Sequence, residues 1–462
     1  MNDYQLIVVG GGPGGYVAAI RAAQLGFRTA LVERNKLGGT CLNRGCIPTK
    51  AILHSTYAYA DCSHFEKLGL AVTCLSYDMN KIHERKNEVV NTLVNGVEQL
   101  LKANKVDVLS GTGTITAPGV VSIDDSRYTA DRILIATGSA PSRLPIPGID
   151  LNGVATSDDI LESVYDYESL IIIGGGVIGV EMATIYTNLG CNVTIIEAQD
   201  RLLPTMDREI AQNLTMILKK RGVSIFTSAR VEEIVTAEGG LSCLFTSKET
   251  VQSVTAEGVL VSIGRRPNTA NLFSLNMMPE MDRDFIKVNN LFESSQKGIY
   301  AVGDVIGGIQ LAHKAEAEGM AVVEMMCGHT QLLDPNLVPL CIYTNPEIAT
   351  VGISADDAKR DGLDVKTGKY LMGGNGKSII DLQERGFIKV VFDAETDILL
   401  GVQMMCTRAT DLISEFTGAI LNKTTHAQLL KGMRPHPTFC EGITEALEAV
   451  VGKSIHSTPA RK

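Results

Sequence analysis

The sequence predicts an α/β protein with two Rossmann-like dinucleotide-binding domains and a C-terminal α+β domain. Three observations predict this fold class. A strand, a glycine-rich turn and a helix occur near residue 10 and recur near residue 174; each repeat ends in a strand followed by a glutamate; and residues from about 336 onward alternate strand and helix patterns without such glycines. The chain has 462 residues, 45% hydrophobic and 45 of them glycine, enough core and tight turns for about three domains.

The first repeat lies at the N-terminus. A short apolar run precedes Gly10, Gly12 and Gly15, which are spaced as G-x-G-x-x-G, and a helical pattern follows over residues 16–25. The first two glycines let the backbone turn and approach a pyrophosphate, and the third lets helix and strand pack closely. The next strand ends in Glu33, whose carboxylate can accept hydrogen bonds from a ribose. This order of elements predicts a dinucleotide site.

The second repeat has the same order of elements. Its three glycines are Gly174, Gly176 and Gly179. An internal repeat of the fold indicates two nucleotides, of which the second should be a nicotinamide. Glu197 favours NAD, because a carboxylate pairs with a free 2′-hydroxyl and repels a 2′-phosphate. Arg201 and Arg208 nearby leave NADP as an alternative.

Residues 38–50 contain two cysteines on what we predict to be a glycine-punctuated turn. Cys41 and Cys46 are separated by four residues, and Pro48 suits the first turn of a helix. A thiolate at a helix N-terminus is stabilised by about 0.3 to 1 kcal/mol. A structural disulfide or two buried thiols are the alternatives. Because the sequence shows no secretion signal, we predict a redox-active pair instead.

Composition and charge argue against several classes of partner and ligand. The net charge of −10 argues against nucleic acid and anionic membranes as partners. The sequence shows no basic leader and no run near the roughly 20 apolar residues of a membrane span, so we expect a cytoplasmic protein without a membrane partner. The remaining cysteines lack zinc-ligand spacing, and no metal is expected.

Residues 38–50 resemble the signature of the pyridine nucleotide-disulphide oxidoreductase family, flavoproteins that pass electrons between a nicotinamide and a substrate disulfide. Other motifs extend the resemblance over nearly the whole chain. These motifs are Ala136-Thr137-Gly138, the Gly-Arg-Arg-Pro turn at residues 264–267, residues 299–304 ending in Asp304, residues 311–319, and the His-Pro-Thr-x-x-Glu segment from His436 to Glu441.

The resemblance implies FAD at the first glycine turn and NAD at the second. It also implies further flavin-site residues, namely Lys50, Thr137, Gly138, Glu181, Asp304 and Ala312, and a further cofactor-binding residue, Gly264, in the turn that returns the chain to the flavin domain. Glu181 is expected to pair with Lys50, whose charge would stabilise a reduced flavin. The alternative is an ordinary surface pair worth less than about 1 kcal/mol.

The resemblance implies a C-terminal dimerisation domain and a homodimer whose active sites are shared between chains. Its implied base is His436, oriented by Glu441. In isolation such a pair is more often a structural histidine. Arg434 and Cys440 depart from the family pattern, and a cation beside the histidine could lower its pKa or favour an anionic substrate. The expected domains are an FAD-binding domain over 1–145 and 265–335, an NAD-binding domain over 146–264, and a dimerisation domain over 336–462.

The resemblance is greatest to family members that oxidise dihydrolipoyl groups. It implies that the substrate thiolate attacks Cys41, that Cys46 lies on the flavin side, and that NAD+ is reduced. The expected partner is a lipoyl-bearing protein of a 2-oxo acid dehydrogenase or glycine cleavage complex. The alternatives are a reductase for a glutathione-like disulfide with a nicotinamide cofactor, and a non-catalytic nucleotide-binding protein.

Overall fold

The computed structural model describes residues 2–329, 334, 337–383 and 385–458. The chain forms two compact units, each assembled from separate stretches of sequence. The first comprises Met1–Pro145, Val154–Asp166 and Leu260–Pro335, and the second comprises Ile146–Gly153, Tyr167–Val259 and Asn336–Lys462. The predicted domain boundary between residues 335 and 336 lies outside the described residues.

Strands and helices are numbered along the chain. The strands are β1 (Tyr4–Val9), β2 (Thr29–Glu33), β3 (Asp107–Ser110), β4 (Gly113–Ala117), β5 (Val120–Ile123), β6 (Ser126–Ile135), β7 (Ser139–Pro141), β8 (Val154–Thr156), β9 (Ser169–Ile173), β10 (Asn192–Ile196), β11 (Ser224–Phe226), β12 (Ala229–Ala237), β13 (Gly240–Ser247), β14 (Thr250–Ala256), β15 (Gly258–Val261), β16 (Arg265–Pro267), β17 (Met281–Asp282), β18 (Phe285–Ile286), β19 (Ile299–Ala301), β20 (Leu340–Ile342), β21 (Ile348–Gly352), β22 (Val365–Leu371), β23 (Phe387–Asp393) and β24 (Leu399–Met405). The helices are α1 (Pro13–Gln24), α2 (Gly39–Arg44), α3 (Cys46–Asp61), α4 (Met79–Ala103), α5 (Ser157–Glu162), α6 (Val177–Asn188), α7 (Arg208–Lys220), α8 (Ala312–Met326), α9 (Ala355–Arg360), α10 (Gly376–Ile380), α11 (Ala409–Leu412), α12 (Ser414–Leu421), α13 (His426–Leu430) and α14 (Glu441–Val450).

A mostly parallel sheet forms the centre of the first unit. β1 lies between β2 and β6, β3 extends the sheet beyond β2, and β19 pairs in parallel with β6. Successive residues of β1 are buried on opposite faces. Leu6 and Val8 pack with apolar side chains of α1, α4 and α8, whereas Ile7 and Val9 pack with those of β4 and β5. Both faces of β1 are therefore covered, as parallel strands require.

The second unit contains a second parallel sheet and an antiparallel one. β10 lies between β9 and β11, all parallel, and β12, β13 and β14 form an antiparallel layer of their own. From residue 340 the strands form an antiparallel sheet in the order β20-β21-β24-β23-β22. α14 packs tightly on this sheet: a Cβ added at Gly368 of β22 would lie 2.1 Å from the carbonyl oxygen of Ala446.

The predicted fold class is confirmed, and the main local difference concerns the cysteine segment. We predicted a turn, but residues 39–44 form α2, and α3 begins at Cys46, two residues before Pro48. Gly38 adopts left-handed backbone angles that start the first helix, and Gly45 separates the two. Among the described residues, no helix combines the length and apolar character needed to cross a membrane.

Candidate active site

Cys41 and Cys46 lie on two consecutive helices of the first unit. Cys41 is within α2, and Cys46 is the first residue of α3. Gly45 between them has φ −147° and ψ −114°, which interrupts the helix. In one continuous helix, residues five apart point roughly 140° away from each other. The interruption therefore allows the two sulfur atoms to face each other.

The two cysteines are thiols that hydrogen-bond to one another. Cys41 is half-buried and Cys46 is exposed. The hydrogen bond with Cys46, followed by burial, raises the pKa of the Cys41 thiol, while the charge of Lys50 acts in the opposite direction. A protonated Cys41 can donate to the second sulfur, which lies at a helix N-terminus that favours a thiolate. The pair therefore suits thiol–disulfide exchange.

The first glycine turn has the shape that a pyrophosphate requires. Gly10 has φ +111°, and a Cβ added there would lie 2.3 Å from the carbonyl oxygen of Ala136. A Cβ at Gly15 would lie 1.8 Å from the carbonyl oxygen of Gly10. At Gly12, by contrast, the nearest atom would be 3.8 Å away, and α1 starts at the next residue without a side-chain cap. The open space and the uncapped N–H groups fit a dinucleotide.

Glu33 fixes this turn from the end of β2. Its Oε2 accepts a hydrogen bond from the N–H of Gly11 at 2.7 Å, and its Oε1 accepts one from Asn35 at 2.8 Å. Each carboxylate oxygen can accept a further bond. The half-buried carboxylate is therefore held in place and still able to bind a hydroxyl group.

The second glycine turn repeats this arrangement in the second unit. Gly174 has φ +108°, and Gly179 is buried in α6. Gly176 precedes α6, and a Cβ added there would have no neighbouring atom within 4 Å. Glu197 is 7% exposed, and its two oxygens accept hydrogen bonds from Gly175 and Gln199, each at 2.6 Å. These residues also fit a dinucleotide.

Arg201 is one of the two arginines that leave NADP open. Its Nη1 lies 3.2 Å from the carboxylate of Asp200, and its Nη2 donates to the carbonyl oxygen of Pro204 at 2.8 Å. These contacts occupy Nη1 and Nη2 with neighbouring protein groups, whereas Nε is buried and has no hydrogen-bond partner among the described residues.

Thr137 and Gly138 follow β6 and are tied to Asn268. The hydroxyl of Thr137 donates to the carbonyl oxygen of Asn268 at 2.9 Å, and the side-chain amide of Asn268 donates back to Thr137 at 2.9 Å. The N–H of Asn268 donates to Gly138 at 2.9 Å, and Gly264 accepts from Ser142 at 2.9 Å. The predicted turn and the Gly-Arg-Arg-Pro segment are thus joined.

Asp304 lies in a 3-10 turn after β19 and accepts a hydrogen bond from the hydroxyl of Ser139. Arg265 donates to the same hydroxyl at 2.7 Å, and its Nε lies 3.9 Å from Asp304. Neither Ser139 nor Arg265 was predicted as a site residue. The arginine lies in a motif already recognised, which could have identified it, whereas the serine has no such signal.

Ala312 is the first residue of α8, whose N-terminus has no side-chain cap. Its first N–H groups are therefore available to an anionic group. Farther along, α8 meets α1 at backbone distance: a Cβ added at Gly319 would lie 2.4 Å from the carbonyl oxygen of Gly14.

Lys50 and Glu181 lie in different units. Lys50 is half-buried in α3. Glu181 is 4% exposed in α6, and its Oε1 accepts a hydrogen bond from the N–H of Tyr343 at 2.9 Å. The predicted pairing of Lys50 with Glu181 stays a prediction.

His436 and Glu441 form a hydrogen-bonded dyad in the second unit. Nδ1 of His436 lies 2.8 Å from Oε1 of Glu441, and Oε2 accepts from the N–H of Thr438 at 3.0 Å. Burial opposes ionisation of Glu441, but the bonds from His436 and Thr438 outweigh it and lower the pKa of the carboxyl. The imidazole is 78% exposed, which leaves Nε2 able to take a proton.

Arg434 and Cys440, the two residues near this dyad that depart from the family pattern, both contact other protein groups. The side chain of Arg434 is 7% exposed and pairs with Glu415 at 2.6 Å, while its Nη1 donates to Thr444 at 3.3 Å. Cys440 precedes α14 and packs against the hydrophobic core of the C-terminal sheet. The charge of Arg434 is thus balanced by a carboxylate.

Comparisons with known proteins agree with this arrangement. A family model described as pyridine nucleotide-disulphide oxidoreductase matches residues 4–319, and the model of its dimerisation domain matches residues 338–447. The chain belongs to the pyridine nucleotide-disulphide oxidoreductase family. The predicted family, enzyme class and cofactors FAD and NAD are confirmed, and the dimerisation domain supports the predicted homodimer.

Relatives in this family cover the chain almost completely. The chain is 41% identical to the dihydrolipoyl dehydrogenase of Bacillus subtilis strain 168, over 98% of this chain and 99% of the relative. It is 38% identical to that of Trypanosoma brucei brucei, over 98% of each. Solved structures of LpdA from Mycobacterium tuberculosis (TM-score 0.88, 26% identity) and of the HOCl-induced flavoprotein disulfide reductase RclA from Escherichia coli (TM-score 0.86, 28% identity) each match 96% of this chain and 99% of their own.

Proposed function

We propose that this protein oxidises dihydrolipoyl groups to lipoyl groups and reduces NAD+, the reaction of a dihydrolipoamide dehydrogenase. The observation that carries the proposal is the pair of hydrogen-bonded thiols, Cys41 and Cys46, on consecutive helices of the unit that contains the first glycine turn. Relatives named dihydrolipoyl dehydrogenase, 36–41% identical over nearly their whole length, support the substrate class.

The cysteines carry the exchange steps. In the oxidised enzyme, a substrate thiolate attacks Sγ of Cys41, the Cys41–Cys46 bond breaks, and Cys46 leaves as a thiolate. The second substrate thiol then attacks the substrate sulfur of the mixed disulfide, which releases the lipoyl disulfide and returns the bonding electrons to Cys41. Cys41 holds a proton readily because its pKa is raised, and the N-terminus of α3 stabilises a thiolate at Cys46.

His436 is the proposed base for the substrate thiols. With Nδ1 donating to Glu441, Nε2 accepts the substrate proton, and the adjacent carboxylate stabilises the resulting imidazolium. Glu441 is held by Thr438 and lies in the first turn of α14, where a carboxylate is favoured. In the proposed homodimer this dyad serves the cysteine pair of the partner chain.

The glycine turns are the proposed cofactor sites. FAD would be held by Gly10, Gly12, Gly15, Glu33, Lys50, Thr137, Gly138, Glu181, Asp304 and Ala312, and NAD by Gly174, Gly176, Gly179 and Glu197. Gly264 is a further proposed cofactor-binding residue. When bound, FAD supplies an acceptor for two electrons and a hydride donor to NAD+. The contacts of Arg201 with Asp200 and Pro204 support NAD over NADP, because they leave its guanidinium engaged.

The proposed partner is a lipoyl-bearing protein of a 2-oxo acid dehydrogenase or glycine cleavage complex. Each active site would combine the cysteine pair of one chain with the histidine of the other. The predicted cytoplasmic location stays a prediction.

The test is a comparison of two steady-state rates with purified homodimer. Dihydrolipoamide with NAD+ should be turned over far faster than glutathione disulfide with NADPH. A faster second reaction would contradict the proposed substrate class and favour the glutathione-like reductase. Absence of both reactions in flavin-loaded protein would favour a non-catalytic role.

A further inference from the structure

The helix that carries Cys41 depends on outside contacts. α2 has six residues, too few to be stable alone. Its last residue, Arg44, lies between the two cysteines in sequence and points to α5. Nε of Arg44 lies 3.4 Å from Oδ2 of Asp158, and Nη1 lies 3.7 Å from Oε1 of Glu162. This ion-pair cluster connects the junction of α2 and α3 to another helix of the same unit.

α5 is itself fixed at both ends. At its start, Asp159 accepts hydrogen bonds from the N–H and the hydroxyl of Thr156, each at 2.7 Å. Near its end, the ammonium of Lys86, 3% exposed in α4, donates to the carbonyl oxygen of Leu161 at 2.7 Å. A residue anchored on α5 therefore has a defined position.

Asp158 faces a second cation that touches the cysteine segment. Arg265 lies close enough to Asp158 to affect its ionisation, and Nη2 of Arg265 lies 3.5 Å from the hydroxyl of Thr40, next to Cys41. Burial raises the pKa of Asp158, and the charges of Arg265 and Arg44 act against that rise. Its Oδ1 is buried and, within the described part of the chain, accepts no hydrogen bond.

We propose that Asp158 is a positioning residue for the redox pair, acting through Arg44: it holds the α2–α3 junction against α5 and keeps the charge of Arg44 compensated. This inference rests on the proposed redox role of Cys41 and Cys46. Arg44 follows Cys41 by three residues on α2, a spacing at which helix positions are neighbours. The dithiol form carries thiolate charge that the disulfide lacks, so a cation there with one carboxylate fewer to compensate it favours the dithiol. Asp158 thereby keeps the disulfide accessible as the substrate oxidant.

The experiment is a charge cycle on flavin-loaded protein: wild type, Asp158→Asn, Arg44→Met and the double variant. Each is equilibrated at pH 7 with glutathione buffers of known ratio, and the dithiol fraction is measured by alkylation and mass spectrometry. Asp158→Asn should raise the dithiol-to-disulfide ratio about tenfold, equivalent to about 30 mV. Arg44→Met should lower the ratio, and the double variant should return to within about twofold of wild type. Single variants that both stay within twofold of wild type overturn the inference.

A matched control tests whether any broken ion pair has this effect. Arg21 and Glu324, 3.5 Å apart, form a pair of comparable exposure in the same unit. Glu324→Gln should leave the ratio unchanged, and a shift equal to that of Asp158→Asn overturns the inference. If Asp158→Asn does not fold, Glu162→Gln removes the exposed carboxylate of the cluster; it should shift the ratio in the same direction, and no shift overturns the inference. A wild type that does not cycle between thiols and disulfide overturns the proposed function as well.

Discussion

The two glycine turns have nearly the same backbone but lead to different segments. Gly10 and Gly174 have φ +111° and +108°, and their N–H groups donate to the last residues of β2 and β10 before the glutamate. In each turn a glutamate accepts two backbone hydrogen bonds, Glu33 at 2.7 and 2.8 Å and Glu197 at 2.6 Å twice. The two turns are therefore equivalent in backbone geometry and in the way their glutamates are held.

The difference begins where the chain returns to each turn. Gly38 donates to the carbonyl oxygen of Gly11 at 2.8 Å, and Leu203 donates to the equivalent Gly175 at 2.9 Å. After Gly38 the chain forms α2 and carries the cysteine pair. After Leu203 it continues toward α7 without cysteines. The comparison teaches that one backbone turn can be followed by different segments, and the segment after Gly38 is the one that carries the proposed chemistry.

The largest effect on activity is expected from a substitution in the cysteine segment, which follows Gly38 at the first turn. Cys46→Ser should lower kcat for dihydrolipoamide oxidation by about 10³-fold or more, because the disulfide can no longer form. Flavin content, measured by absorbance, should stay normal. Cys62→Ser, at the far end of α3, is the control and should retain activity. Substantial activity in Cys46→Ser would place the chemistry elsewhere.

The second-largest effect on activity is expected from a substitution outside both glycine turns. His436→Gln should lower kcat by about 10²- to 10⁴-fold, because the substrate thiol loses its base. Neither flavin content nor kcat/KM for NAD+ should change, because NAD+ reacts in the second half-reaction, after the histidine has acted. Steady-state kinetics with both substrates varied would measure this. A variant with unaltered kcat would remove His436 from the mechanism.

One paired experiment can show whether the two glutamates, Glu33 and Glu197, bind different cofactors. Glu197→Gln should raise the KM for NAD+ about tenfold, equivalent to about 1.4 kcal/mol, and keep the flavin. Glu33→Gln should lower the flavin content of purified protein and leave the KM for NAD+ unchanged. If Glu197→Gln instead lowered the flavin content and Glu33→Gln raised the KM for NAD+, the two cofactor assignments would have to be exchanged.

The smallest expected effect concerns stability and pH. The pKa of Glu441 is lowered in the folded protein, so its stabilising contribution is present above the unfolded value of about 4.3 and lost as the pH falls through the folded value. Thermal melts of wild type and Glu441→Gln should therefore differ at pH 6 and converge toward pH 3. A difference that grows on acidification would have the wrong sign.

Much of the fold and candidate site could be predicted because short patterns encode it. The spacing of Gly10, Gly12 and Gly15 reports a turn in which a Cβ at Gly10 or Gly15 would clash with a backbone oxygen, whereas Gly12 leaves open space. The glutamates follow their strands directly, and the histidine and Glu441 are five residues apart. Each signal lies within one local segment.

The rest depends on contacts between distant segments. Arg44 and Asp158, or Ser139 and Asp304, are far apart in sequence, and no local periodicity pairs them. The cysteine segment was predicted as a turn because its glycines suggested irregular backbone. In the structure, Gly38 and Gly45 instead lie at the two ends of a short helix. Such a helix is decided by tertiary contacts, not by propensity.

The backbone contact between α1 and α8 joins two segments that are synthesised far apart in time. The N-terminal turn is made first, yet Asp304, Ala312 and the helix that seals it at Gly319 emerge only after residues 167–259 have left the ribosome. A nascent chain therefore completes the proposed flavin site late, and a chain truncated before residue 312 would lack the surface against which the N-terminal helix closes.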